Sequence, residues 1–252
     1  MFVSGGVGVE HNAVFQNAVT PRVSVAVYAR NPSATSAAGE TKLTLNAGKG
    51  IKAPAIFQEL SSLFALAKNV SGVGPIGPER ARVFDVGLEQ SLAQGRVRAR
   101  VTYFDNSYDN LIEFVSKNVL PQLGVSTAAA NASGFGAYVN SQSYDARGAE
   151  LSVDAMLGTY VRVAGSYTYL DATVKASLSG GALAPATNAA FPGVKIGAFS
   201  PLVGNRPFRR PTNSGSVLVS YTQGKAQVGV SGYFSGKQDD STFLSEIGRA
   251  HV

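Results

Sequence analysis

The sequence predicts an all-β fold, an antiparallel up-and-down transmembrane β-barrel segment of about nine strands cut from a larger barrel. Three observations carry this: apolar and polar residues alternate with period two, connections alternate between short and long, and charge is sparse with no long apolar run. The chain has 252 residues with 28 Gly, 10 Tyr and 13 Phe but no Trp or Cys. Its 15% charged residues fall below the roughly 25% usual in soluble domains. A mean hydropathy of +0.06 is too mild for a helical membrane protein. No run of about 18 apolar residues exists to form a transmembrane helix.

Alternation is clearest from Arg96 to Phe104. Val97, Ala99, Val101 and Tyr103 share one face; Arg96, Arg98, Arg100 and Thr102 share the other. Before it, Phe84, Val86 and Leu88 alternate with Asp85 and Glu89. A Gln94-Gly95 turn between them pairs Ala93 with Arg96, and so Glu89 with Arg100 and Leu88 with Val101. The next hairpin sets Leu151, Val153 and Ala155 against Glu150, Ser152 and Asp154. It turns at Leu157-Gly158-Thr159 and returns through Val161, Val163, Gly165, Tyr167 and Tyr169, which places Asp154 opposite Arg162. A third runs through Val217, Val219 and Tyr221, turns at Gln223-Gly224, and returns through Ala226, Val228, Val230 and Phe234. Earlier strands are read at Val3 to Val9, Val23 to Ala29 and Thr41 to Ala47.

Long connections are read at Ile51 to Arg80, Asn106 to Ala137 and Thr173 to Thr212. An up-and-down order puts every short turn at one end and every long loop at the other, as in outer-membrane barrels with periplasmic turns and extracellular loops. Tyr160 and Tyr221 fall beside short turns, and Tyr103, Tyr167, Tyr169 and Phe234 nearer the long loops, as two aromatic girdles would.

Several segments, in order and spacing, resemble the C-terminal half of a TonB-dependent receptor barrel. Gly50-Ile51-Lys52-Ala53-Pro54 is similar to the family's strand exit into an outer loop, with Ile where an aromatic is usual. Pro78-Glu79-Arg80-Ala81 followed by Phe84-Asp85-Val86-Gly87-Leu88-Glu89 resembles the return strand. Tyr103-Phe104 with Asp109-Asn110-Leu111-Ile112, then Tyr138-Val139-Asn140 with Arg147-Gly148-Ala149-Glu150-Leu151, look like the next two. Ser166 to Ala172 and Arg209-Arg210-Pro211 continue the series. The resemblance implies a barrel of about 22 strands with a separate plug. It implies uptake of a scarce ligand such as a siderophore or cobalamin, driven by the inner-membrane TonB complex. Residues 1–245 are read as partial barrel. The tail Glu246 to Val252 matches translation of GAG-ATC-GGA-AGA-GCA-CAC-GTC, mostly a sequencing-library adapter, and is expected to be non-native.

The lumen-facing polar set is expected to be Asp85, Glu89, Arg96, Arg98, Arg100, Glu150, Asp154 and Arg162. The arginines at 96, 98 and 100 could steer an anionic ligand, but acidic partners are at hand in Glu89 and Asp85. Ile56, Leu60, Leu63 and Ala67 recur at helical spacing in the first long loop. Phe57, Phe64, Phe114 and Phe191 are the candidate ligand contacts among loop aromatics. His11 and His251, the only histidines, read as solvated, as do Asp239 and Asp240. Gly5-Gly6-Val7-Gly8 lies in a strand and precedes no helix, so it is not read as a phosphate loop. No signal peptide is read at Met1 to Gly6. No catalytic constellation, metal site, cofactor or nucleic-acid signature is expected. Expected partners are outer-membrane lipid, a plug, the TonB complex and an unidentified ligand, with the protein integral to the outer membrane of a Gram-negative cell. A passive porin or surface adhesin, or a soluble β-rich binding domain, are the alternatives; an upstream plug favours active transport, and solubility without detergent favours the last.

Overall fold

A computed structural model describes residues 1–13, 16–31, 36–66, 74–178, 186–188, 191–196, 203–239 and 246–247. Alternation over nine segments yields a single nine-stranded antiparallel sheet. In chain order the strands are β1 (Phe2–Asn12), β2 (Gln16–Arg30), β3 (Ala38–Lys52), β4 (Glu79–Leu92), β5 (Val97–Ser116), β6 (Gly136–Leu157) and β7 (Val161–Ala176). A small hairpin, β8 (Ala186–Asn188) with β9 (Phe191–Ile196), stands apart before β10 (Asn213–Gln223) and β11 (Ala226–Ser235) complete the sheet. The short β12 (Gln238–Asp239) pairs with β13 (Glu246–Ile247). The sheet order is β1-β2-β3-β4-β5-β6-β7-β10-β11, each strand beside its predecessor and the sheet unclosed.

Register sorts the side chains into two faces because, between the irregularities near Arg30, Ala38, Leu111 and Ser143, the pairings preserve the period-two parity. One row runs across eight strands through Val27, Leu43, Leu88, Val101, Leu151, Tyr167, Gly215 and Phe234. The row beside it, on the opposite face, is Tyr28, Lys42, Glu89, Arg100, Ser152, Ser166, Ser216 and Tyr233. The apolar face has no cover: Val101 is 49% exposed and Val230 69%. The buried core lies instead at the long-loop end, where Leu63, Val115, Val119, Leu120, Val125 and Ala137 cluster.

Residues 93–96, 158–160 and 224–225 make short connections at one end, and the three long ones lie at the opposite end; the sorting is not complete, because β1, ending at Asn12, and β2, starting at Gln16, are joined by a short connection at the long-loop end. The β4–β5 register is as expected, Glu89 opposite Arg100 and Leu88 opposite Val101. The β6–β7 register differs. Gly158-Thr159-Tyr160 forms the turn and Leu157 pairs with Val161, so Asp154 faces Ala164 and Met156 faces Arg162. A shift of this kind moves pairs by two residues and leaves the faces unchanged. In the last hairpin the turn is Gly224-Lys225, with Gln223 opposite Ala226. Gly224 has φ +58°, the left-handed backbone a two-residue hairpin needs.

Two loop expectations are corrected. Asn106 to Ser116 is strand, not loop: β5 and β6 stay paired as far as Ser116 opposite Gly136, with irregularities near Leu111. Side-chain alternation fails there because neither face is uniformly buried. The helical stripe in the first long loop is broken in two, α1 (Ile56–Leu60) and α2 (Leu63–Leu66). Leu63 is buried while Ile56 and Leu60 are 76% and 70% exposed, so the stripe is not one packed face. Ala67 lies outside the described residues. A 3₁₀ turn (Leu120–Leu123) and α3 (Thr127–Ala132) fill the second long connection.

Candidate ligand-facing site

The polar face carries a concavity of 770 Å³ lined by Asn46, Asp85, Arg100, Thr102, Asn106 and Glu150. β3 to β6 hold these side chains at even spacing. Asp85 accepts from Asn46 Nδ2 at 2.6 Å rather than from an arginine. Glu89 lies opposite Arg100, yet its ion pair is diagonal, to Arg98 at 3.4 Å. Arg100 Nε donates instead to Thr102 Oγ1 at 3.3 Å. Arg162 reaches Asp154 at 2.5 Å across the two-residue offset, a distance a long side chain spans easily. Arg96 sits in the β4–β5 turn rather than on the strand. Glu150 is exposed between Thr102 and Thr168. The arginines of both pairs are more than half exposed, so the pairs shape the field more than they stabilise the fold.

Toward the long loops the same parity brings up Lys52, bonded to Glu79 at 2.7 Å. Tyr108 stacks on Tyr144 with ring centroids 4.5 Å apart. Burial pushes the Tyr144 phenol above its ordinary value; the neighbouring Tyr108 adds to this and Arg210 opposes it.

Beyond this lies an aromatic cluster. Tyr138 meets Phe57 edge-on at 5.7 Å and Phe114 at 5.3 Å. A 500 Å³ cavity beside it is lined by Leu63, Phe64, Ile76, Tyr138, Asn140 and Leu178. Two of the four candidate aromatics, Phe57 and Phe114, thus meet one residue not singled out from the sequence as a contact, and a third, Phe64, lines the same cavity. Phe114 is a strand residue, not a loop residue. Phe191 opens β9, away from the sheet's own ladder. Asn140 ties the region together: its Oδ1 accepts from Gly77 N at 2.6 Å, and its Nδ2 donates to the Gly77 and Asn110 carbonyls.

One buried carboxylate underlies the site. Glu113 on β5 is 5% exposed. It accepts from Ser141 on β6, and from Ser177 Oγ and the Leu178 amide, both at 2.7 Å, at the root of the third long connection. Among the described residues no group of three or more His, Cys, Asp or Glu could hold a metal ion. His11 is exposed and bonds Asn17 at 2.8 Å. Asp240 and His251 lie outside the described residues.

A meandering antiparallel sheet with one bare apolar face, one polar face, short turns at one end and elaborated loops at the other is the wall of a membrane β-barrel. The chain belongs to the TonB-dependent receptor family: the family model described as TonB dependent receptor-like, beta-barrel, matches residues 2–249. Solved structures of the same fold include P. aeruginosa FpvA bound to heterologous pyoverdines, at 12% identity and a TM-score of 0.58 over 92% of this chain and 25% of that one. The siderophore receptor PiuA from Acinetobacter baumannii is similar at 13% identity and 0.55, over 92% and 28%. The copper transporter OprC is similar at 14% and 0.53, over 91% and 28%. The chain therefore spans about a quarter of the length of these receptors. A search of curated protein sequences found no match.

Proposed function

We propose that this chain is wall and ligand-facing loop structure of an active outer-membrane receptor that takes up a scarce ligand, a siderophore, cobalamin or a compound of that kind. The observation that carries the reading is the family match over residues 2–249 joined to a two-faced sheet whose elaborated loops all lie at one end. The apolar face meets lipid. The polar set Asp85, Glu89, Arg98, Arg100, Glu150, Asp154 and Arg162, with Arg96 at its rim, faces the lumen and a plug domain. The long-loop end is extracellular, and Phe57, Phe64 and Phe114 around Tyr138 contribute to capture. That relatives include receptors for pyoverdine and copper leaves the ligand to be set by loops such as these. Movement of the plug requires the TonB complex.

The test is uptake. Cells lacking the complete gene should lose accumulation of one radiolabelled ligand from a panel of ferric siderophores, cobalamin and copper. Wild-type cells should lose the same accumulation when TonB is removed. Accumulation that persists without TonB would assign a passive porin instead.

A further inference from the structure

A second cavity, of 530 Å³, opens on the apolar side of the sheet rather than the polar side. Its wall includes Val19, Lys49, Ile51, Arg80, Arg82 and Asp109. All six share the parity of Leu43, Leu45, Val86, Leu88 and Val101. Lys49 lies opposite Arg82, Ile51 opposite Arg80, and Arg80 opposite Asp109. Three cations therefore face one carboxylate here, on the side of the sheet that carries the apolar rows.

Their height places them at a boundary. From Leu92, beside the short turn, to Arg82 the strand advances ten residues. At about 3.3 Å each and a tilt of about 40°, that is about 25 Å along the barrel axis, the height of the apolar band of an outer-membrane barrel. Lys49, Arg80 and Arg82 thus begin where hydrocarbon ends and headgroups start, on the long-loop side.

The cations there are not all spent on the protein. Asp109 closes on Arg82 at 3.0 Å. Lys49 and Arg80 are exposed and have no ion pair or hydrogen bond among the described residues. Other outward cations toward the long-loop end are neutralised, Arg147, in the row of Phe84, by Asp171 at 3.0 Å and Lys175 by Asp145 at 3.5 Å. Val19 and Ile51 add apolar wall beside the free charges, so the cavity offers a lipid both of its surfaces. A guanidinium beside an ammonium suits a phosphate, the first as a planar fork and the second as a point charge.

We infer that Lys49 and Arg80, on the frame of Arg82 and Asp109, bind a phosphate of an outer-leaflet glycolipid headgroup whose acyl chains lie against Val19 and the apolar face below. This rests on the proposed assignment of the apolar face to lipid. The site is separate from the ligand-facing loops and lumen.

The full-length receptor carrying this segment is purified in detergent and titrated with a diphosphorylated lipid A-type glycolipid, followed by native mass spectrometry. Lys49→Gln/Arg80→Gln should weaken adduct formation at least tenfold, and Lys49→Glu/Arg80→Glu should abolish it. Lys225→Gln, in the exposed β10–β11 turn at the other end of the sheet, should leave it unchanged. The dephosphorylated glycolipid should bind at least tenfold more weakly than the diphosphorylated one, and millimolar inorganic phosphate should not displace the lipid. Heat-modifiable mobility checks that each variant is folded, and the neutral pair serves if the charge reversal misfolds. Equal binding by the folded neutral pair, equal binding of the dephosphorylated lipid, or ready displacement by free phosphate overturns the inference. Quenching of a fluorophore at Val101→Cys by spin-labelled acyl chains separates the layers. Quenching with no effect of the 49/80 substitutions refutes this site alone, whereas no quenching refutes the lipid-facing assignment beneath it.

Discussion

Val101 is the position at which the facing of the sheet can be tested most directly. It sits on the apolar face between Leu88 and Leu151, four residue steps in from the Leu92 level and six from the Arg82 level. With about 2.5 Å of height per residue at a tilt of about 40°, it lies about 10 Å from one edge of the apolar band and about 15 Å from the other, close to the midplane. A cation there costs about 2–4 kcal/mol, so Val101→Arg should lower the folding equilibrium of the complete receptor roughly 30- to 900-fold. Ala99→Arg, two steps nearer the short-turn edge, should cost about 1 kcal/mol, since the cost falls toward the interfaces. Arg100→Val, one residue along and on the other face, should change stability by about 1 kcal/mol or less. Only its bond to Thr102 is lost, because Glu89 keeps Arg98. The assay is reversible urea unfolding in lipid vesicles, read by heat-modifiable mobility on gels. If Val101→Arg matches wild type within 0.5 kcal/mol, or if Ala99→Arg costs as much as Val101→Arg, a depth-graded lipid face is wrong.

Gly148→Ala should cost about 1–3 kcal/mol or block assembly, because a Cβ there is driven into the Tyr169 carbonyl and to 2.8 Å from Phe104 Cζ; Gly229→Ala, with its nearest atom 4.0 Å away, should fold as wild type in the same urea assay. Tyr138→Ala removes two aromatic contacts worth about 0.5–1.5 kcal/mol each and should accelerate amide exchange in residues 56–66 while leaving β4–β5 protected. The sign of the Tyr144 shift makes stability alkaline-sensitive: the folded state holds the phenolic proton to higher pH than the unfolded chain, so stability is unaffected below about pH 10 and falls as pH rises from there to the raised value. Tyr144→Phe should remove that loss, measured by urea midpoints across the alkaline range.

The β4–β5 hairpin was legible because two independent codes agreed, a turn bearing Gly95 and strict alternation on both arms. The β6–β7 hairpin was legible in its faces but not its register, since Gly158 permits either of two placements of a three-residue turn and parity cannot distinguish them. The outer half of β5 was hidden for a different reason. Asn106-Ser107-Tyr108-Asp109-Asn110 is polar on both sides, and alternation reports burial on one side only. The candidate aromatics Phe57, Phe64 and Phe114 were visible as types, whereas Tyr138, which joins Phe57 and Phe114 and shares a cavity wall with Phe64, is 24 residues from the nearest of them and is brought there by the β5–β6 register. The Lys49 and Arg80 cavity was equally invisible, because the two cations meet only once β3 and β4 are paired.

The buried Glu113 carboxylate has a mechanical meaning. It is shared among β5, β6 and the first turn of chain after β7, so none of the three can shift at that level without breaking a bond to a desolvated carboxylate. The outer ends of the β5–β6 hairpin and the root of the third long connection therefore travel as a single block. Displacement of that connection is passed through Glu113 to the Phe114–Tyr138 pair next to it in sequence, and from Tyr138 to the helix that carries Phe57.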